Sequence, residues 1–224
     1  MHILIVDDHP LNVDSYVALL SQIESNKNAS FHLAYNCKQA YDLITQLDRN
    51  EINIDMAFID LSLPAYEELN YRSGDEIGSL VQQKFPNCII IIISMHSEPV
   101  RVNQIIKTLN PQGFISKNDL NYKNFPLIMD AIIKKDSYFS KTIMEAQKEF
   151  IIKNINWDEH DSKMVQLIAE GIKTKDLPHY IPLSLSALEK RKANLKKQFL
   201  FEGGSDAELI EQVKKLGLFN NIRK

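Results

Sequence analysis

Residues 1–10 read MHILIVDDHP, and the order of residue types in that stretch points to the fold. Ile3–Val6 is apolar without a break and rich in branched side chains. Continuous hydrophobicity of this kind marks a strand buried on both faces, as in a parallel sheet, whereas a half-exposed strand alternates. Asp7-Asp8 follow directly at its C-terminal end. Outward from here the pattern repeats. Phe31–Tyr35, Ile54–Ile59, Ile89–Ile93 and Phe114–Ser116 read as further strands. Amphipathic stretches lie between and after them: Leu11–Ser25, Lys38–Leu47, Ile77–Phe85, Pro99–Leu109 and Pro126–Lys134. Five strand–helix units predict an α/β domain over residues 1–135, with helices on both faces of the sheet.

The whole chain has 224 residues, 44% apolar and 25% charged, which fits one large or two small folded domains. Seven Gly and eight Pro exclude a fibrous class. Two cysteines, Cys37 and Cys88, are too few for a disulfide framework or a zinc cluster, and a reduced, cytoplasmic setting is expected. The longest apolar run, Cys88–Ile93, falls far short of the ~20 residues needed to cross a bilayer, and the acidic start is not a signal peptide, so no membrane partner is expected. Charge divides unevenly. Residues 1–135 hold 16 acids and 11 bases, whereas residues 136–224 hold 13 acids and 15 bases. That asymmetry suggests two domains with different partners.

Residues 136–156, helical around Thr142–Ile151, read as a linker. From Trp157 to 224 the pattern is all helical. One helix ends at Gly171 and the last starts at Ser205, with Glu208 three residues on as a capping box, and stops at Gly217. Its stripe Leu209, Val213 and Leu216 suits either a dimer surface or the small domain's own core. In the first half, AYEELNYRS at residues 65–73 forms a long surface loop after the third strand.

In an open parallel sheet, chemistry sits beyond the C-terminal ends of the strands. Those ends carry Asp7 and Asp8, then Asp60, Ser94 and Lys117. Three carboxylates held close need a cation to stay ionised, and Mg²⁺ takes oxygen ligands. One carboxylate can then attack a phosphoryl group while Lys117 and the Ser94 hydroxyl meet its oxygens. Asp60, on the central strand, is the predicted nucleophile, with Asp7, Asp8 and Asp60 as the metal set.

ILIVDDHP, AFIDLSLP, IIISMH and GFISK together resemble the receiver domain of bacterial two-component response regulators, a flavodoxin-like (βα)5 fold. The resemblance implies that Asp60 accepts a phosphoryl group from a histidine kinase and that Asp7 and Asp8 hold Mg²⁺. It also implies that Ser94 and Lys117 sense the phosphorylated state and that Phe114 is the switch aromatic. The loop at 65–73 is longer than the family's usual connection, and Met95 stands where many members have a small residue. Asp60-Leu61-Ser62 lacks the second acid of the aspartate phosphatases. A signalling phosphoacceptor is therefore expected rather than an enzyme, with at most slow autophosphorylation and autodephosphorylation at Asp60.

WDEHDSKMVQLIAEGIKTKDL followed by IPLSLSALEKRKANLKKQF resembles the helix-turn-helix output domain of LuxR-like regulators. On a helical wheel Leu188, Leu195 and Phe199 fall together, and Ser186, Lys190, Ala193, Asn194 and Lys197 fall opposite, a face suited to a major groove. Arg191, Lys192 and Lys196 flank it as phosphate contacts, while Glu189 at its edge repels phosphates. Pro178 and Pro182 predict a short helix before the turn. The leading reading is a transcription regulator that binds DNA as a phosphorylation-controlled homodimer. The alternative is a phosphorylation-controlled protein-interaction module whose helical tail binds no DNA.

Overall fold

A computed structural model of the chain describes residues 1–23, 26–134, 137–154, 157–200 and 204–219. The chain forms two compact units, Met1–Ile143 and Met144–Lys224. In the first, strands β1 (His2–Val6), β2 (Ser30–Ala34), β3 (Met56–Asp60), β4 (Ile89–Ser94), β5 (Gly113–Ser116) and β6 (Tyr138–Phe139) form one sheet. Their order is β2-β1-β3-β4-β5-β6, and every pairing is parallel. Helices α1 (Pro10–Ser21), α2 (Cys37–Arg49), α3 (Gly74–Lys84), α4 (Pro99–Leu109) and α5 (Phe125–Ile133) connect the first five strands and follow the fifth.

The buried strands explain the unbroken apolar runs. Ile3, Ile5, Phe58, Ile91, Ile93 and Ile115 pack with Val13, Tyr16 and Leu20 of α1 and with Phe125, Ile128, Met129 and Ile132 of α5. Strand neighbours of opposite parity, such as Leu4, Ala57, Ile90 and Ile92, are equally inaccessible, as a sheet covered on both faces requires. Helix starts follow the local chemistry. Pro10 and Pro99 open α1 and α4, the Asn36 side chain caps α2, and Ser73 with Glu76 makes a capping box on α3.

The sheet has one strand more than the five expected. β6 is only Tyr138–Phe139, too short to signal a strand, and it forms because the β5 edge offers unpaired backbone groups to those two residues. β6 is followed by α6 (Lys141–Asn154), which contains the helix expected around Thr142–Ile151. Of the expected linker at 136–156, residues 136, 155 and 156 lie outside the described ones.

The second unit holds α7 (Glu159–Ala169), a 3-10 segment Thr174–His179 containing Pro178, α8 (Leu185–Phe199) and α9 (Asp206–Lys215). The short helix before the turn agrees with the two prolines. Gly171 and Gly217 follow α7 and α9 with φ of 90° and 60°, the left-handed conformation of helix-ending glycines. Leu209, Val213 and Leu216 join Trp157, Met164, Leu177, Leu188 and Leu195 in one core. At 1%, 0% and 5% exposure, that stripe is not available as a dimer surface. The small unit has too few apolar side chains to leave three outside its core.

Candidate functional site

Register brings the acids together. Val6 pairs with Ile59, so Asp7 and Asp60, each the next residue, end level on adjacent strands. Ser94 pairs with Ser116, which places Lys117 one step beyond. Asp7 and Asp60 are 1% and 3% exposed. The Lys117 ammonium donates to Asp7 Oδ2 at 2.8 Å and to Asp60 Oδ2 at 2.6 Å, clamping the two carboxylates. Burial pushes the Asp60 carboxyl above the usual aspartate value, against the opposing pull of Lys117. Burial alone would lower Lys117, but its bonds to Asp60 and Asp7 prevail and hold it above the ordinary lysine value.

Groups that the sequence reading missed complete the cluster. His9 donates its backbone N–H to Asp7 Oδ1 at 2.9 Å, and the Asn12 amide reaches both Asp7 oxygens at 3.1 Å. His9 Nδ1 lies 2.6 Å from Asp8 Oδ1. The Ser62 N–H donates to Asp60 Oδ1 at 3.2 Å. The only available signal was position, because His9, Asn12 and Ser62 all lie within five residues of an acid already singled out.

Ligand atoms of Asp7, Asp8, His9 and Asp60 all lie within 4.8 Å of one another. Three carboxylates against one ammonium leave a charge of −2, presented by hard oxygen donors. That donor set fits a divalent ion such as Mg²⁺. Asp7, Asp8 and Asp60 would hold it.

Ser94 is fully buried and its Oγ accepts the His96 N–H at 2.9 Å, which fixes the turn after β4. Phe114 is fully buried within β5. Met95 is 56% exposed and points away from the interior. Gly74, the first residue of α3, admits no side chain, since a Cβ there would lie 1.8 Å from the Asp60 carbonyl oxygen. The loop before it is ordered. Tyr66 and Tyr71 form a β-bridge, both pack with tilted rings against Tyr41, and Lys38 lies 4.6 Å over the Tyr66 ring.

In the second unit, Leu188 and Leu195 are buried, which fixes the rotation of α8. Ser186, Glu189, Lys190, Ala193, Asn194 and Lys197 are exposed, in agreement with the predicted face. The flanking bases are engaged otherwise than expected. Arg191 binds Asp158 at 2.8 Å and Asp161 at 2.9 Å. Lys192 donates to Thr174 at 2.6 Å and Asp206 at 3.1 Å, and Lys196 lies 2.7 Å from Asp206. All three tie α8 to its neighbours. A helical wheel registers charge and angle but not the acids that α7 and α9 bring alongside.

Residues 3–123 match the response regulator receiver domain family, and the chain belongs to that family. Solved structures extend the likeness of fold over the whole chain. The RcsB response regulator of Salmonella typhimurium, studied for conformational dynamism in DNA interaction, is 19% identical with a TM-score of 0.56, over 96% of this chain and 98% of that one. RcsB from Salmonella enterica serovar Typhimurium, bound to promoter rprA in the presence of phosphomimetic BeF3−, is 19% identical with a TM-score of 0.54, over 96% and 99%. A LuxR-family two-component response regulator from Aurantimonas is 18% identical with a TM-score of 0.51, over 69% of this chain and 97% of that one. No curated protein matches the sequence.

Proposed function

We propose that this chain is a transcription regulator controlled by phosphorylation of Asp60. The observation that carries the reading is the Lys117 clamp, an ammonium 2.6 Å from the carboxylate on the central strand and 2.8 Å from Asp7. In the transfer, an Asp60 carboxylate oxygen forms a bond to phosphorus as the donor's phosphorus–nitrogen bond breaks, and the departing imidazole of the kinase histidine keeps the electron pair and takes a proton. Lys117 is placed to neutralise the incoming phosphoryl oxygens, and the Ser94 hydroxyl, at the end of the next strand, to donate to one of them. Mg²⁺, when bound by Asp7, Asp8 and Asp60, supplies further charge neutralisation at those oxygens. Asn12 and His9 keep Asp7 aimed at the same point.

DNA is the proposed output partner, through the exposed face of α8, in a dimer that phosphorylation favours. The full-length similarity to an RcsB structure bound to a promoter supports this. Phe114, one residue into β5 and buried, is the group proposed to repack as Lys117 and Ser94 engage the phosphoryl group. Buried free Cys37 and Cys88 suit a reducing cytoplasm, and among the described residues no helix is long and apolar enough to cross a membrane. The interaction-module reading keeps one observation in its favour: Arg191, Lys192 and Lys196 spend their charge inside the unit.

The test is to incubate the chain with Mg²⁺ and a small phosphodonor and follow intact mass. Wild type gains one phosphoryl group and Asp60→Asn gains none. Selection from random duplex DNA with and without phosphodonor then decides the output. If neither state prefers any sequence, the interaction module replaces the regulator.

A further inference from the structure

Glu189 is an exposed acid at the edge of the face of α8 that carries Ser186, Lys190 and Ala193. The helix does nothing to neutralise it. One turn on, Ala193 is four residues away and carries no charge, and Lys192, three residues away, is already held by Thr174 and Asp206. Among the described residues no cation pairs with Glu189. Near DNA such a carboxylate is repelled by every phosphate and gains only where a base-edge donor meets it. Of the two amino groups in the major groove, adenine N6 lies beside the N7 acceptor, which repels a carboxylate, so cytosine N4 is the donor that suits one.

We propose that Glu189 sets base choice by accepting a hydrogen bond from cytosine N4, an inference that rests on the DNA-binding reading. Position supports it. Recognition helices touch base edges with their N-terminal residues, and Glu189 is the fifth residue of α8, in its second turn. The buried Leu188 and the Arg191 bridge to Asp158 and Asp161 hold the helix at one rotation, so Glu189 stays on its outward side. Lys190 beside it is exposed and suited to guanine O6 and N7, so the two neighbours ask for complementary edges of C·G pairs. Glu189 is thus more than a repulsive accident. It excludes sequences in which no amino group faces it.

The test is sequence selection from random duplex DNA by the full chain, treated with Mg²⁺ and phosphodonor, followed by affinity measurement on the selected site and its single-base variants. Wild type is expected to require cytosine at one position of the half-site, by about 5- to 150-fold over the other bases. Glu189→Ala, at an exposed position, should lose that preference while keeping preferences elsewhere in the site. Glu189→Gln should move the preference to adenine, which a glutamine amide reads through N6 and N7. Unfolding midpoints of both variants should match wild type. If wild type selects a site and both variants keep the same cytosine preference, the assignment of Glu189 is overturned while DNA binding stands. If wild type selects no sequence in either phosphorylation state, the DNA-binding reading falls and takes this inference with it.

Discussion

The carboxylate of Asp119 holds the start of α6 through Thr142, accepting its backbone N–H at 2.8 Å and its hydroxyl at 2.9 Å. The hydroxyl of Ser140, the residue before α6, accepts the buried N–H of Ser116 at 3.0 Å. Asp119 lies two residues beyond Lys117, so the segment that carries the clamp lysine also anchors the helix that runs into the second unit.

Asp119→Asn should remove a capping interaction at a cost of about 1 kcal/mol near neutral pH. Burial raises the Asp119 carboxyl, but hydrogen bonds from Ser140 and Thr142, with the nearby Lys141 charge, outweigh it and hold the group below the usual aspartate value. For an acid lowered on folding, the stabilisation is complete above the unfolded value of about 3.9 and is lost as pH falls through the folded one. Urea unfolding between pH 7 and pH 3 should therefore show the gap between wild type and Asp119→Asn closing below about pH 4. A gap that stays constant would show that the anchor is not the ionised carboxylate.

Lys117→Met should strand two buried carboxylates and lower the stability of the first unit by about 3 kcal/mol. Mg²⁺ should raise the melting temperature of this variant more than that of wild type, because the ion then meets the whole uncompensated charge. An equal Mg²⁺ effect in both proteins would argue against Asp7 and Asp60 as ligands.

Gly74→Ala should be the more damaging of two glycine substitutions in α3. Its Cβ meets the Asp60 backbone, whereas at Gly78 the contact, 2.8 Å, is to the end of the Leu109 side chain, which can rotate. We expect a loss of about 3 kcal/mol at Gly74, the upper end of overpacking costs, and slower phosphorylation as Asp60 shifts. Comparing denaturation and phosphodonor kinetics of the two variants checks this. Equal losses would mean that the Asp60 backbone yields.

Arg191→Ala and Lys190→Ala should separate scaffold from contact surface. Asp161 is 3% exposed and burial raises its carboxyl despite Arg191, so removing the arginine leaves it with the Asp158 N–H but no cation. The expected loss is about 1.5–3 kcal/mol, the range for hydrogen bonds to charged groups. Lys190→Ala should leave the unfolding curve unchanged and weaken discrimination among DNA sites. Identical stability of both variants would show that the Arg191 bridge contributes nothing.

Much of the first unit was legible because a doubly covered parallel sheet writes itself as unbroken apolar runs, each closed by a polar residue. Ile3–Val6 with Asp7-Asp8, and the runs before Asp60 and Lys117, carried both the fold class and the acid cluster. Caps were equally local: Ser205 with Glu208, and the glycines at 171 and 217, follow from backbone chemistry within a few residues.

Other features depended on partners distant in sequence. Tyr138–Phe139 is a strand only because the β5 edge was left unpaired, whereas α6 contains the helix expected around Thr142–Ile151. Arg191, Lys192 and Lys196 looked like phosphate contacts until Asp158, Asp161 and Asp206 were brought within 3.1 Å of them. The Leu209–Leu216 stripe had two possible destinations, and burial in a small core decided between them. Hydrophobic period and capping act over one or two turns and are written in the sequence, whereas the pairing of charges and the covering of an edge are settled only when the chain closes on itself.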